Sequence, residues 1–249
     1  MKEDLELIDS RLRVTTNFDM VLRAVDKEFS LCCNYSKGHG NEFNAWMKEY
    51  HPGALLFQVE SGSGSRQDFT TDGAGAVYMN RNFYVEFLDK SLTAEKDNIL
   101  QKNLFIILTS SQMIAVSRVY AIFHVAICFP MRYLAGKAHT LGAHDFSIRS
   151  MGKVIDTVDE KLKQIVDTPE NFISYDFMKD IFKELIDKIP PFKEYLTYMF
   201  EIKQSRTINK ATTELKYDLL VAELFFPTRQ ENKDTDNLVK EMGKVAAEC

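Results

Sequence analysis

The side chains best suited to chemistry in this 249-residue chain crowd into residues 130–153, PMRYLAGKAHTLGAHDFSIRSMGK. There Arg132, Lys137, His139, His144, Arg149 and Lys153 are interleaved with Tyr133 and Phe146. Cationic side chains neutralise phosphates, and aromatic faces stack on bases. Gly136, Gly142 and Gly152 let a backbone come close. A helix opening near Ser147 or Ser150 would turn its positive pole toward an anion. The chemistry implied is polyanion binding, with RNA or single-stranded DNA as the partner. The same residues also suit a surface loop paired with acids elsewhere in the chain.

Charge distribution is what motivates the first of these. From Asn98 to His144 there is no Asp or Glu. Residues 98–153 hold six Lys and Arg against Asp145 alone, a net of +5 in a chain of net charge −5, so the remainder carries −10. Acidic surroundings would confine a polyanion to the basic stretch. A pI near 5.6 excludes a globally basic nucleic-acid binder. Arg118 joins the set from the preceding apolar run, among Ile114, Val119, Tyr120 and Ile122. A guanidinium buried there needs a partner, and no acid lies within two turns of the same helix. Its partner is either an acid from another helix or an external anion. The candidate anion-binding residues are therefore Arg118, Arg132, Lys137, His139, Arg149 and Lys153.

Other chemistry is less well supported. His139 and His144 have no third ligand beyond Asp145, and the adjacent Cys32 and Cys33 with His39 make a poor zinc set, so no metal and no cofactor are expected. The four cysteines, Cys32, Cys33, Cys128 and Cys249, form no disulfide framework, which points to a reducing compartment. Residues 62–78, GSGSRQDFTTDGAGAVY, are rich in glycine but lack the Gly-Lys-Ser/Thr of a phosphate loop. Asp68 and Asp72, with Glu86 and Asp89 beyond, could serve acid–base or metal-ion chemistry if His124 or His139 converged on them. That enzymatic interpretation ranks below binding. No complete catalytic signature is present, and the chain resembles no known family.

The elements that must position these groups read as mainly helical. Amphipathic helices are predicted over Lys2–Val14, Asn17–Cys33 and Asn41–Tyr50. Ala54–Glu60 has strand length and composition, Ser61–Gly75 reads as a turn-rich loop, and Ala76–Met79 as a second short strand. Together they predict a small β-hairpin-like element near residues 54–80. Helix resumes near Asn82 and continues through Leu92. Asn98–Phe129 contains neither Pro nor Gly and predicts one long, apolar central helix. Asn103, Ser110, Ser117 and His124 recur every seven residues along it, which places a polar seam on one stripe. Further helices follow over Gly152–Val166, from Pro169 to Ile189, from Pro191 to about Lys203, over Ala211–Phe226, and from Thr235 or Asp236 onward.

The architecture expected is a multi-helix, mainly α domain spanning residues 1–249, with two lobes at 1–97 and 98–249. Leu104–Cys128 is long enough to cross a bilayer, but a central Arg118 costs about 2.5 kcal/mol or more to insert, and no membrane association is expected. The acidic N-terminus lacks an apolar leader core, which predicts no signal peptide and an intracellular, cytoplasmic or nuclear protein. The function expected is non-enzymatic binding of RNA or single-stranded DNA, as in a nucleoprotein or a subunit of a nucleic-acid machine. The alternative is an interaction or scaffold module that assembles with itself or a protein partner through aromatic helical faces.

Overall fold

Phe18, Val21, Leu22, Val25 and Phe29 recur at helical spacing, and all five are buried along one face of α1, Phe18–Phe29. Helix α2, Gly40–Tyr50, follows the same rule with Phe43, Trp46 and Met47. The computed structural model describes residues 18–29, 38–57, 66–94, 98–128, 131, 148–179, 181, 219–227 and 233–248. Among these the protein is mainly helical and contains no strand. The predicted helices at 2–14 and 191–203 lie outside the described residues. The chain divides into two compact units, Met1–Tyr120 and Ala121–Cys249.

The hairpin-like element expected at residues 54–80 is not shown among the described residues. Helix α3 runs Arg66–Ala94, so Ala76–Met79 is helix interior and the glycine-rich stretch from Arg66 onward is helical. Residues 73–78 are buried without interruption, and Thr71 and Asn80 are buried beside them. A helix surrounded on all sides shows no amphipathic period, and six consecutive buried residues imitate a core strand. The other half of the expected hairpin, Ala54–Phe57, does leave helical conformation. A side chain pairs with its last residue. Phe57 donates its N–H to Asn80 Oδ1 at 3.1 Å, and Asn80 Nδ2 donates to the Phe57 carbonyl oxygen. One amide thus supplies the paired donor and acceptor that a neighbouring strand would offer.

The long apolar helix is also corrected. Helix α4, Ile99–Thr109, stops at Ser110, whose backbone is extended (φ −75°, ψ 136°), and α5, Ser111–Phe123, begins directly after it. Neither Pro nor Gly causes the break. Ser110 accepts the Met113 N–H through Oγ at 3.1 Å while its own N–H donates to the Ile107 carbonyl, so one residue closes one helix and caps the next. Thr109 adds hydroxyl bonds to the Phe105 and Ile106 carbonyls. Asn98 caps α4, accepting from Leu100 and Gln101 through its side chain. After α5 the chain widens into a π-helix, His124–Cys128. The stretch Ser111–Cys128 is long and apolar enough to cross a membrane by composition, and half of it is buried within the protein.

In the first unit, aromatic rings lock α1, α2 and α3 together. Phe29 stacks on Tyr84 at 4.2 Å and meets Phe43 edge-on at 5.0 Å, while Phe87 packs against both Phe43 and Trp46. Burial pushes the Tyr84 hydroxyl up to about 12; the bond donated by Asn80 partly opposes this, and the nearby Asp26 adds to it.

The second unit is simpler. Helix α6, Ile148–Asp167, buries Val154, Val158 and Ile165 at helical spacing. A 3₁₀ turn, Pro169–Ile173, and a short α7, Tyr175–Lys179, replace the single helix expected from Pro169 onward; Ser174, extended, separates them. Residues 219–225 are helical, followed by α8, Lys233–Glu248. Helix α8 packs on α6 and on the 3₁₀ turn. Phe172, fully buried, lies flat against Gly243 of α8, so close that a Cβ there would stand 2.4 Å from the ring.

Candidate functional site

The most tightly defined polar site lies inside the first unit, where no sequence motif marks it. Glu28 falls on the apolar stripe of α1, three residues after Val25 and seven after Val21, and is fully buried. His39, immediately before α2, places Nδ1 2.8 Å from Glu28 Oε1. Gln101 on α4, also on a buried stripe with Leu104 and Leu108, donates Nε2–H to the same oxygen at 2.7 Å. An ionised carboxylate only accepts, so the His39 proton facing it sits on Nδ1. The two nitrogens are 3.1 Å apart because both N–H groups converge on one oxygen.

The backbone fixes this geometry. The His39 N–H donates to the Glu28 carbonyl at 2.9 Å. A Cβ on Gly38 would stand 2.2 Å from the Lys27 carbonyl oxygen, so only glycine allows the chain to pass this close to the end of α1. Glu28 Oε2 and Gln101 Oε1 are buried and have no hydrogen-bond partner. The outer edge of the imidazole faces Glu42, with Nε2 3.9 Å from Glu42 Oε2; the His39 side chain is 21% exposed and that of Glu42 71%.

The residues singled out for anion binding are distributed differently. Arg118 is 2% exposed, among the largest fully buried side chains, and is engaged within the protein. Arg149 lies in the first turn of α6, and Lys153, in its second turn, is exposed. Arg132, Lys137 and His139 lie outside the described residues, as do His144, Tyr133 and Phe146. The polar seam does not run along one helix, because the chain breaks at Ser110. Asn103 is exposed, and Ser117 is buried with its hydroxyl donating to the Met113 carbonyl at 2.8 Å.

The acids proposed for catalysis are not assembled in what can be described. Asp68 and Asp72 belong to the first turns of α3, and nothing of their side chains is described. Glu86 instead faces His51, with Oε2 3.2 Å from Nε2, close enough for an ion pair but not aligned as a hydrogen bond. Glu86 and Asp89 also rim a groove of about 450 Å³, floored by Phe105, Leu108 and Ile114 where α4 gives way to α5. Among the described residues no group of three or more His, Cys, Asp and Glu side chains is placed to hold a metal ion.

Comparison with known proteins returned no match: no family model, no characterised protein and no solved structure is significantly similar to this chain. Chemically, the described sites offer a buried carboxylate that orients a histidine, and an exposed lysine near the start of α6.

Proposed function

We propose that this chain is a non-enzymatic helical binding protein whose ligand is a polyanion, RNA or single-stranded DNA, held by the basic stretch at residues 130–153. The observation that carries this reading is the charge partition: +5 over residues 98–153 within a chain of net −5. Arg132, Lys137, Arg149 and Lys153 neutralise phosphates, His139 adds a donor, and Tyr133 and Phe146 supply stacking faces. Exposure of Lys153 supports its role. Arg118 is the least accessible member of the set and reaches a phosphate only if the surrounding helices rearrange.

A salt titration of the full chain with a fluorescent single-stranded oligonucleotide tests the proposal. Four permanent cations predict a slope of log K against log salt of about −3. Charge reversal at Lys137 and Arg149 should abolish binding. Absence of measurable affinity at about 50 mM salt, or a slope near zero, defeats the reading.

A protein-interaction role is the second reading, favoured by exposed apolar side chains in the second unit, notably Phe226 at 64%, Val245 and Ile155. It predicts a defined oligomer or complex by light scattering. A monomer at all concentrations tested would leave self-assembly without support.

A further inference from the structure

We propose that the groove between α3 and the break at Ser110 is a binding site for a small organic cation, a primary amine carried on an apolar aryl or alkyl body. The inference is independent of polyanion binding and starts from the register of the chain. Phe105 and Ile114 share this groove of about 450 Å³. On a continuous helix their separation would be about two and a half turns, which puts them on opposite faces. The extended backbone at Ser110 redirects the chain between them, so both line one cavity together with Leu108. Across from them α3 presents Arg81, Val85 and Asp89 at i, i+4 and i+8, with Glu86 beside this stripe. The break thus builds the cavity, and its volume lies within the range of small-molecule sites.

The lining divides by chemistry. Val85, Phe105, Leu108 and Ile114 give an apolar floor, with Leu108 wholly buried and the others half-buried. Covering that floor with a hydrocarbon body is favourable. Both carboxylates stand toward one end. Glu86 and Asp89 are one helical turn apart and exposed at the rim, so an ammonium between them donates to two charged acceptors. Glu86 does not swing freely, because Oε2 lies 3.2 Å from His51 Nε2. Arg81 lies about 12 Å from Asp89 along the axis of α3. An ammonium at that end meets like charge, so the ligand has one orientation. Arg81 and Asp89 are each also engaged within the protein, which holds both ends of the groove in place. Thr109 at the edge already donates its hydroxyl to the Phe105 and Ile106 carbonyls, at 2.9 and 3.0 Å, and offers a ligand no hydrogen. The span suits one arylalkyl amine lengthwise rather than a polypeptide segment.

The test is titration of the full chain with phenethylamine, followed through backbone amide shifts by NMR, beside the neutral phenethyl alcohol and the anion phenylpropionate. The amine should saturate at low millimolar concentration or below, moving the amides of Glu86, Asp89, Leu108 and Ile114. It should bind about threefold or more tightly than the alcohol, the size of effect an exposed carboxylate supplies. The anion should bind most weakly. Glu86→Gln combined with Asp89→Asn should bring the amine down to the level of the alcohol. Both side chains are exposed, so this variant removes charge without disturbing the interior. Ile114→Ala should weaken amine and alcohol together, by about threefold to tenfold. An unchanged helical signal shows that each variant is folded. Absence of saturation by about 10 mM, equal affinity for amine and alcohol, shifts that map away from the groove, or full affinity in the double variant would each overturn the proposal.

Discussion

The two units solve the same packing problem with different materials. In the first, polar side chains enter the interior: Glu28, Asn80, Gln101, Ser117 and Arg118 are all buried. Each that can be traced is met by a specific partner, as Asn80 is met by the Phe57 backbone and Tyr84. In the second, the described core is chiefly aliphatic, and its defining contact is a bare fit of the Phe172 ring against Gly243. Directional bonds fix register and orientation, whereas shape alone fixes proximity. Among the described residues, directed bonds thus hold the interior of the first unit, while the second buries fewer polar side chains, Glu223 and Thr235.

The sharpest break of this contrast comes from the second unit. Phe172→Ala removes the ring that Gly243 was shaped to receive, and should cost about 3–5 kcal/mol, read as a fall in the denaturant midpoint. The converse change, Gly243→Ala, overfills the contact and should cost about 1–3 kcal/mol. If both are neutral, the second unit is not held by shape.

In the first unit, Asn80→Leu keeps the branched skeleton and deletes the bonds. It should cost about 2 kcal/mol, because the Phe57 N–H and carbonyl and the Tyr84 hydroxyl lose their partner together. Hydrogen exchange at the Phe57 amide should accelerate in the same variant. A neutral result would mean that water replaces the clamp.

Alkaline pH probes the same neighbourhood without a substitution. Tyr84 is raised to about 12 in the folded protein, against about 10 in an unfolded chain. Between these values the unfolded chain has lost a proton that the folded one retains, so stability falls as pH rises. The loss should begin near pH 10 and reach about 2–3 kcal/mol by pH 12. Tyr84→Phe should flatten that part of the profile.

The smallest effect is expected at the helix break. Ser110→Ala removes the cap of α5 and should cost about 1 kcal/mol, with faster exchange at the Met113 amide as the local signature.

The same contrast explains what the sequence disclosed. Helices α1, α2 and α6 were legible because their apolar residues keep helical spacing against a polar face. Helix α3 was not, since uninterrupted burial at residues 73–78 erases the period that distinguishes helix from strand. The break at Ser110 was hidden because a hydroxyl, rather than a glycine or proline, makes it. The cluster at Glu28 joins residues 11 and 73 positions apart, which no local motif can record. A signal was nonetheless available. Glu28 and Gln101 each occupy a position where the apolar stripe of their helix calls for a hydrophobic side chain, and each has a designated partner. The basic stretch at residues 130–153 drew attention through composition, and composition says which residues are present without saying what they meet.

The Asn80 clamp has an evolutionary consequence. It ties residue 57 to residue 80 through one side chain, so the two ends of the intervening segment are registered independently of how many residues join them. A single substitution at position 80 severs both bonds at once, so the position can drift only to a residue that offers a donor and an acceptor together.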